Sequence, residues 1–153
     1  MVVKVNYQTL DNIADSYIPI LMLVSLFLIA KNIVETWPNY KEPVKIASYL
    51  VATLLVAYSL MYVDRVLELW PSLSLDYSTH TAVSLALIFV LNRLISSLWL
   101  IWLISFFIYV LLMLYQKYHS AADIILTTFV VSILLYLVGM TKWLRKEDEN
   151  EIK

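Results

Sequence analysis

The feature that most constrains this chain is a series of apolar runs of the length that crosses a lipid bilayer. A helix needs roughly 20 apolar residues to span the hydrocarbon core. Five candidate spans follow one another: Tyr17 to about Trp37, Ile46 to Val63, Thr79 to Arg93 or slightly beyond, Leu94 to Tyr115, and Ser120 to Thr141. Because backbone polar groups inside a bilayer must be paired within the protein, we predict an all-α polytopic membrane helix bundle with about five transmembrane helices.

The composition is typical of a single membrane domain. Of the 153 residues, 61% are hydrophobic and only Gly139 is a glycine. We expect residues 17–141 to form the five-span core, residues 1–16 to form an interfacial segment, and residues 142–153 to form a charged cytoplasmic tail. A net charge of −1 offers no basic face for nucleic acid, and the lack of cysteine excludes disulfides and thiolate metal sites.

The positions of lysine and arginine predict the orientation, since short loops rich in these residues stay on the cytoplasmic side. With the N-terminus outside, eight basic residues fall on the inner side and three on the outer side. The inner set is Lys31, Lys41, Lys45, Arg93, Lys142, Arg145, Lys146 and Lys153, and the outer set is Lys4, Arg65 and Lys117. We therefore expect an integral protein of the plasma or inner membrane, with its N-terminus outside and its C-terminus in the cytoplasm.

The only two histidines of the chain each lie beside the start of a predicted span. On the predicted topology, His80 and His119 both lie at the outer surface. Ionisable residues at such positions are costly, which makes them candidates for function. Asp123 follows His119 by four residues, a spacing that would put both on one helix face and let the carboxylate fix the imidazole tautomer.

Structural explanations compete with this functional one. Ser120-Ala121-Ala122-Asp123 also fits a capping box, in which Asp123 pairs with backbone donors at a helix start. His80 could be a polar residue at the level of the lipid headgroups with no chemical role. Both alternatives remain open from the sequence.

Two segments resemble the second and third motifs of the type 2 phosphatidic acid phosphatase superfamily. They are Asp76-Tyr77-Ser78-Thr79-His80-Thr81-Ala82-Val83 and Tyr118-His119-Ser120-Ala121-Ala122-Asp123-Ile124-Ile125. The superfamily motifs read P-S-G-H and S-R-x5-H-x3-D. The segments are more similar to the sphingomyelin synthase-like branch, which has an aspartate shortly before S-G-H-T and a third motif H-Y-x-x-D. The resemblance covers about Asp64 to Leu137.

The resemblance implies phosphoryl or phospho-headgroup transfer through a covalent phosphohistidine. It makes His119 the nucleophile, Asp123 the carboxylate that orients it, and His80 the general acid that protonates the leaving oxygen. The implied substrate is a lipid phosphate or phospholipid that reaches the site from the outer leaflet. This chemistry requires no cofactor and no metal.

The phosphate-binding residues are less defined, because the first superfamily motif, K-x6-R-P, is absent. Met113 also stands where the third motif has an arginine. Arg65 and Lys117 are the candidates to supply positive charge, and they could equally be ordinary loop charges. Three hydroxyl side chains could bind phosphate oxygens or simply cap the third helix: Ser78, Thr79 and Thr81.

Three hypotheses for function follow. The first is a membrane lipid phosphatase or phospho-headgroup transferase. The second is a catalytically inactive member of the same fold that binds lipid or acts as a scaffolding subunit, with a membrane protein or a second copy of the chain as partner. The third, ranked last, is a metal site formed by His80, His119 and Asp123.

Overall fold

The computed structural model describes residues 6–141 and residue 144, and this part of the chain contains five α-helices. They are α1 (Tyr7–Glu35), α2 (Lys41–Leu67), α3 (Thr79–Leu94), α4 (Trp99–Tyr115) and α5 (Ala121–Gly139). Single turns of 3-10 helix, Pro71–Leu73 and Ser96–Leu98, lie in two of the connections. No strand occurs among the described residues, so the predicted all-α helical bundle is confirmed.

Four helices are long and apolar enough to cross a membrane: α1, α2, α5, and α4 together with the 3-10 turn before it, Ser96–Tyr115, which is 20 residues long. The 16 residues of α3 are apolar as well, but a helix of that length extends only about 24 Å, less than the hydrocarbon thickness of about 30 Å. The chain is therefore an integral membrane protein with four helices of spanning length and one shorter helix.

The shorter helix, α3, is the centre of the bundle and packs against each of the other four helices. Ten of its sixteen residues are buried, and Ala82, Ser84 and Ala86 are completely inaccessible. Thr53 and Ala57 of α2 are equally buried. Small side chains at these positions let helix backbones approach closely, which drives packing in membranes where lipid tails compete for apolar contacts.

Most of the segment predicted to be interfacial, residues 1–16, belongs to the first helix. Residues 7–16 are continuous with the apolar part of α1, and residues 1–5 lie outside the described residues. The Gln116 amide donates to Asp11 Oδ1 at 2.6 Å, so the polar start of α1 is held against the connection between α4 and α5. The predicted tail, residues 142–153, lies outside the described residues except for Leu144.

The end of α2 also differs, since the helix passes the predicted stop at Val63 and continues to Leu67. The Asp64 carboxylate does not end the helix, because it turns to accept a hydrogen bond from the Trp70 backbone N–H at 2.7 Å. The helix ends where Glu68 adopts a left-handed conformation with φ of 51°. The predicted break between the third and fourth spans is observed at Ile95.

The short connections bring five helix ends together at one end of the bundle. The starts of α1, α3 and α5 and the ends of α2 and α4 lie there, joined by residues 68–78 and 116–120. This arrangement is indicated by contacts such as that of Gln116 with Asp11 and that of the Asp76 N–H with Asp123. Residues far apart in sequence, including both histidines, therefore meet at this end.

Candidate functional site

A polar cavity of about 280 Å³ lies at the end of the bundle where α3 begins. The side chains that carry chemistry around it come from α2, from the connection before α3, from the first turn of α3, and from the connection before α5. They are Asp64, Arg65, Asp76, Thr79, His80 and His119, with Met61 and Tyr77 completing the wall. The structure thus brings together four of the predicted site residues: both histidines, Arg65 and Thr79.

His119 contacts a carboxylate, but it is not the one predicted. Its Nδ1 atom lies 3.5 Å from Asp76 Oδ2, which is longer than a hydrogen bond but within the range of an ion pair when the imidazole is protonated. The His119 side chain is mostly buried, whereas that of Asp76 is 76% exposed. Nδ1 has no hydrogen-bond partner within residues 6–141 and 144. Asp76 is therefore the carboxylate placed to orient His119.

Asp123, the predicted partner of His119, instead organises backbone. Its Oδ2 accepts a hydrogen bond from the Ser120 N–H at 2.7 Å, and its Oδ1 accepts one from the Asp76 N–H at 2.9 Å. The Ser120 hydroxyl accepts from the Asp123 N–H, which completes a capping box at the start of α5. The capping alternative is thus observed, and no hydrogen bond or ion pair joins Asp123 to His119 among the described residues.

The four-residue spacing between His119 and Asp123 did not produce the predicted contact, because His119 lies outside the helix. Ser120 is the N-cap of α5, so His119 precedes the cap and belongs to the connection. The rule that residues four apart share a face holds only when both are helical. Asp76, by contrast, lies four residues before His80. The motif of the sphingomyelin synthase-like branch, which the segment resembles, has an aspartate shortly before S-G-H-T, and this was the sequence signal that could have identified Asp76.

Ser78 and Thr81, predicted to bind phosphate, form the N-terminal cap of α3. The Ser78 Oγ atom accepts a hydrogen bond from the Thr81 N–H at 3.3 Å and lies 2.8 Å from Thr81 Oγ1. Both side chains are fully buried and neither lines the cavity. Thr79, between them in sequence, does line it. Thr79 is therefore the one residue of the three predicted phosphate-binding hydroxyls that lines the cavity.

The two predicted cations are separated by the structure. Arg65, in the last turn of α2, is exposed and lines the cavity. Lys117 does not line it and has a left-handed backbone, with φ of 58°. The Lys117 N–H bonds to the Leu114 carbonyl and the Tyr118 N–H bonds to the Met113 carbonyl, a Schellman motif that ends α4. Lys117 thus occupies a structural position usually taken by glycine.

His80 lies on the exposed side of the cavity and is flanked by Tyr118. The two rings are nearly parallel, with an interplanar angle of 17° and centroids 6.3 Å apart. The Tyr118 hydroxyl donates to Asp11 Oδ1 at 3.2 Å. The start of α1 is therefore linked through Tyr118 to the neighbourhood of His80.

Tyr77 forms the buried wall of the cavity. Its hydroxyl donates to the Ala57 carbonyl at 2.8 Å, and its ring packs edge-on against Trp70. Burial, and secondarily the negative charge of Asp64, raise the pKa of Tyr77 above its ordinary value. This hydroxyl therefore stays protonated and serves as a fixed hydrogen-bond donor rather than an acid or base.

The metal hypothesis is not supported by the observed arrangement. Over the described ranges, no group of three or more His, Cys, Asp or Glu side chains is placed to hold a metal ion. The set of His80, His119 and Asp123 is not assembled, because both oxygens of Asp123 face backbone N–H groups.

Comparisons with protein-family models, with curated proteins and with solved structures find no match to this chain. The fold and the apolar helices define its class: an integral membrane protein built as an all-α helical bundle.

Proposed function

We propose that the protein is a membrane lipid phosphatase or phospho-headgroup transferase that acts through a phosphohistidine on His119. The observation that carries the proposal is that His80, His119 and Arg65 line one cavity at the end of the bundle. The two imidazoles supply a nucleophile and a proton donor, and the guanidinium supplies positive charge for phosphate oxygens. The start of α3 adds the positive end of a helix dipole at the same edge.

The proposed reaction has two steps. A nitrogen lone pair of His119 attacks phosphorus while the bond from phosphorus to the lipid oxygen breaks, and protonated His80 gives its proton to that leaving oxygen. Neutral His80 then accepts a proton from water or from a lipid hydroxyl, whose oxygen attacks phosphorus as the P–N bond breaks. Water as acceptor gives a phosphatase, and a lipid hydroxyl gives a transferase.

In this scheme Asp76 takes the positioning role that the resemblance assigned to Asp123. A carboxylate beside Nδ1 favours the tautomer that leaves Nε2 free to attack, and it stabilises the positive charge that the ring gains in the phosphorylated state. Asp123 acts indirectly, because it holds the Asp76 backbone and the start of α5 together. Thr79 is the remaining hydroxyl donor in the cavity wall.

On the predicted orientation, the cavity faces the outer side of the membrane. A lipid phosphate in that leaflet would then reach the cavity with its headgroup at the level of His80 and its chains among the apolar helices.

The experiment is phosphate or headgroup release from a panel of detergent-solubilised lipid phosphates and phosphodiesters. We expect wild type to act on at least one of them, and His119→Ala and His80→Ala each to lower the rate by about a hundredfold or more. Lys31→Gln, at an exposed position at the other end of the bundle, is the matched control and should retain activity. Circular dichroism and thermal unfolding establish that each variant is folded.

A radiolabelled phosphate group on the protein, stable in alkali and labile in acid, would identify phosphohistidine. We expect it to be absent in His119→Ala. A wild type inert across the whole panel, or histidine variants as active as wild type, would contradict the catalytic proposal.

The second candidate is a catalytically inactive, lipid-binding or scaffolding subunit. The observation that favours it is the charge of the cavity: among the described residues that line it, Arg65 is the only lysine or arginine, and Asp64 and Asp76 line it too. Binding of a lipid phosphate without turnover, lost in Arg65→Gln, would support this second function.

A further inference from the structure

A second cavity, of about 250 Å³, lies at the opposite end of the bundle. Its wall includes Tyr49 of α2, Asn92 and Arg93 at the end of α3, and Tyr136 and Gly139 at the end of α5. None of these residues belongs to the cavity that contains the histidines. This second cavity therefore requires its own explanation.

Arg93 is the charged group of this cavity, and the carboxylate of Glu42 attracts it without forming a direct ion pair among the described residues. Its Nη1 atom donates to the Leu144 carbonyl, and its guanidinium lies over the ring of Tyr49, 5.1 Å from the ring centroid. Its Nη2 atom is enclosed and makes no hydrogen bond to the part of the chain that the structure describes. Within residues 6–141 and 144, no Asp or Glu forms an ion pair with it. An enclosed donor without a hydrogen-bond partner is costly, and an anionic oxygen in the cavity would satisfy it.

The neighbouring wall offers further polar groups. Asn92 and Tyr136 are exposed, so an amide and a hydroxyl are available beside the guanidinium. Gly139, the only glycine of the chain, lies against Tyr49, and a Cβ atom added there would be 3.4 Å from the Tyr49 hydroxyl oxygen. The absence of a side chain at this position leaves space between α2 and α5.

The charge of this end of the molecule fits an anionic lipid. Lys31, Lys41 and Lys45 lie at the same end together with the carboxylates Glu35 and Glu42, so with Arg93 the described residues there carry more positive than negative charges. Basic groups at a membrane surface attract anionic headgroups. The cavity also has apolar walls from Phe89 and Met140, against which lipid chains can pack.

We propose that the cavity at Arg93 binds the anionic phosphate headgroup of a phospholipid from the leaflet at that end of the bundle. The headgroup balances the charge of Arg93 and engages Asn92, and the flexible arginine side chain turns its free Nη2 donor toward the phosphate. This site is independent of the proposed chemistry at His119, since the two cavities lie at opposite ends.

The test is retention of phosphatidylglycerol against phosphatidylcholine by the full-length purified protein, measured by native mass spectrometry. We expect wild type to prefer phosphatidylglycerol and Arg93→Gln to lose about tenfold in affinity, as expected for a charge-assisted hydrogen bond. Lys31→Gln removes an exposed charge at the same end that is already paired with Glu35, and it should therefore lower the affinity much less than Arg93→Gln does.

Because Arg93→Gln also removes the contacts to Leu144 and Tyr49, a second pair of variants keeps the test independent of folding. Asn92→Asp places a negative charge at an exposed side chain in the cavity and should weaken binding, whereas Asn92→Gln should not. Equal binding by wild type, Arg93→Gln and Asn92→Asp overturns the proposal. Displacement of the lipid by inorganic phosphate alone overturns the assignment to a lipid and identifies a site for free oxyanions.

Discussion

The carboxylate of Asp76 lies 3.5 Å from Nδ1 of His119, and the backbone N–H of the same Asp76 donates to Asp123 at 2.9 Å. Asp76 thus contacts two parts of the site: its backbone is bound by the cap of α5, and its exposed side chain lies beside the His119 imidazole. This relationship separates two roles that a single carboxylate was expected to fill: Asp76 can act on His119, and Asp123 holds Asp76 in place.

Asp76→Asn should lower kcat with little change in KM. The exposed carboxylate stabilises the charge that His119 gains during attack, and an exposed ion pair contributes up to about 1 kcal/mol, or roughly fivefold in rate. Steady-state kinetics on the best substrate of the lipid panel measures kcat and KM separately. An unchanged kcat in a folded Asp76→Asn protein would remove Asp76 from the mechanism.

Asp123→Ala should destabilise the protein by about 2–3 kcal/mol, because two backbone N–H groups lose their acceptor at a partly buried cap. Asp123→Asn, which retains one carbonyl oxygen, should be less destabilising. Thermal unfolding in detergent compares the two variants. A normal melting temperature together with abolished turnover would instead support the orienting role that the resemblance implied.

Arg65→Gln should raise KM for a phosphate-bearing lipid about fivefold, since its exposed guanidinium contributes about 1 kcal/mol to binding. Arg65→Lys should recover part of this, because it keeps the charge but loses the bidentate fork. Lys117→Asn is the matched control, since it removes a cation outside the cavity while asparagine tolerates a left-handed backbone. Equal effects of Arg65→Gln and Lys117→Asn would indicate general attraction rather than a contact.

Alkaline pH should destabilise wild type more than Tyr77→Phe. The pKa of Tyr77 is raised by burial, so its contribution to stability is complete below the ordinary tyrosine pKa of about 10 and is lost as pH rises above it. The loss has a slope of up to about 1.4 kcal/mol per pH unit while the unfolded form alone is ionised.

The measurement for Tyr77 is unfolding by denaturant at a series of pH values. At neutral pH, Tyr77→Phe should cost about 1 kcal/mol through loss of the hydrogen bond to Ala57. Tyr62→Phe, at an exposed position on α2, serves as the control. Parallel pH profiles for wild type and Tyr77→Phe would contradict the assignment.

The orientation can be tested by single cysteines, since the chain has none of its own. Leu73→Cys, between α2 and α3, should react with a membrane-impermeant maleimide in intact cells. Asn39→Cys, between α1 and α2, should react only after the membrane is opened. The opposite pattern would place the histidine cavity on the cytoplasmic side.

Much of the fold could be predicted from hydropathy and from end signals. Ser78 and Thr79 indicated where α3 starts, and Ser120 indicated where α5 starts. The extent of α1 was not, because the residues before Tyr17 are polar and are held by the contact of Asp11 with Gln116. Polar residues that are stabilised by distant partners carry no periodic signal of their own.

The site was predictable in its histidines but not in its carboxylates. His80 and His119 lie beside helix starts, and the topology alone brings these starts to one end. Asp76 lies in the connection of residues 68–78, whose path depends on hydrogen bonds from the Trp70 N–H to Asp64 and from the Asp76 N–H to Asp123. An irregular connection of this kind is defined by tertiary contacts, so helical spacing alone could not identify which carboxylate meets His119.

The shortness of α3 has a consequence for how the protein is made. With 16 residues, among them Asn92 and Arg93, α3 is a poor membrane anchor by itself. It is surrounded by α1, α2, α4 and α5, and two of these are synthesised after it. Stable insertion of α3 therefore depends on partners that emerge later from the ribosome, and a truncated chain that ends before α5 would expose α3 to degradation.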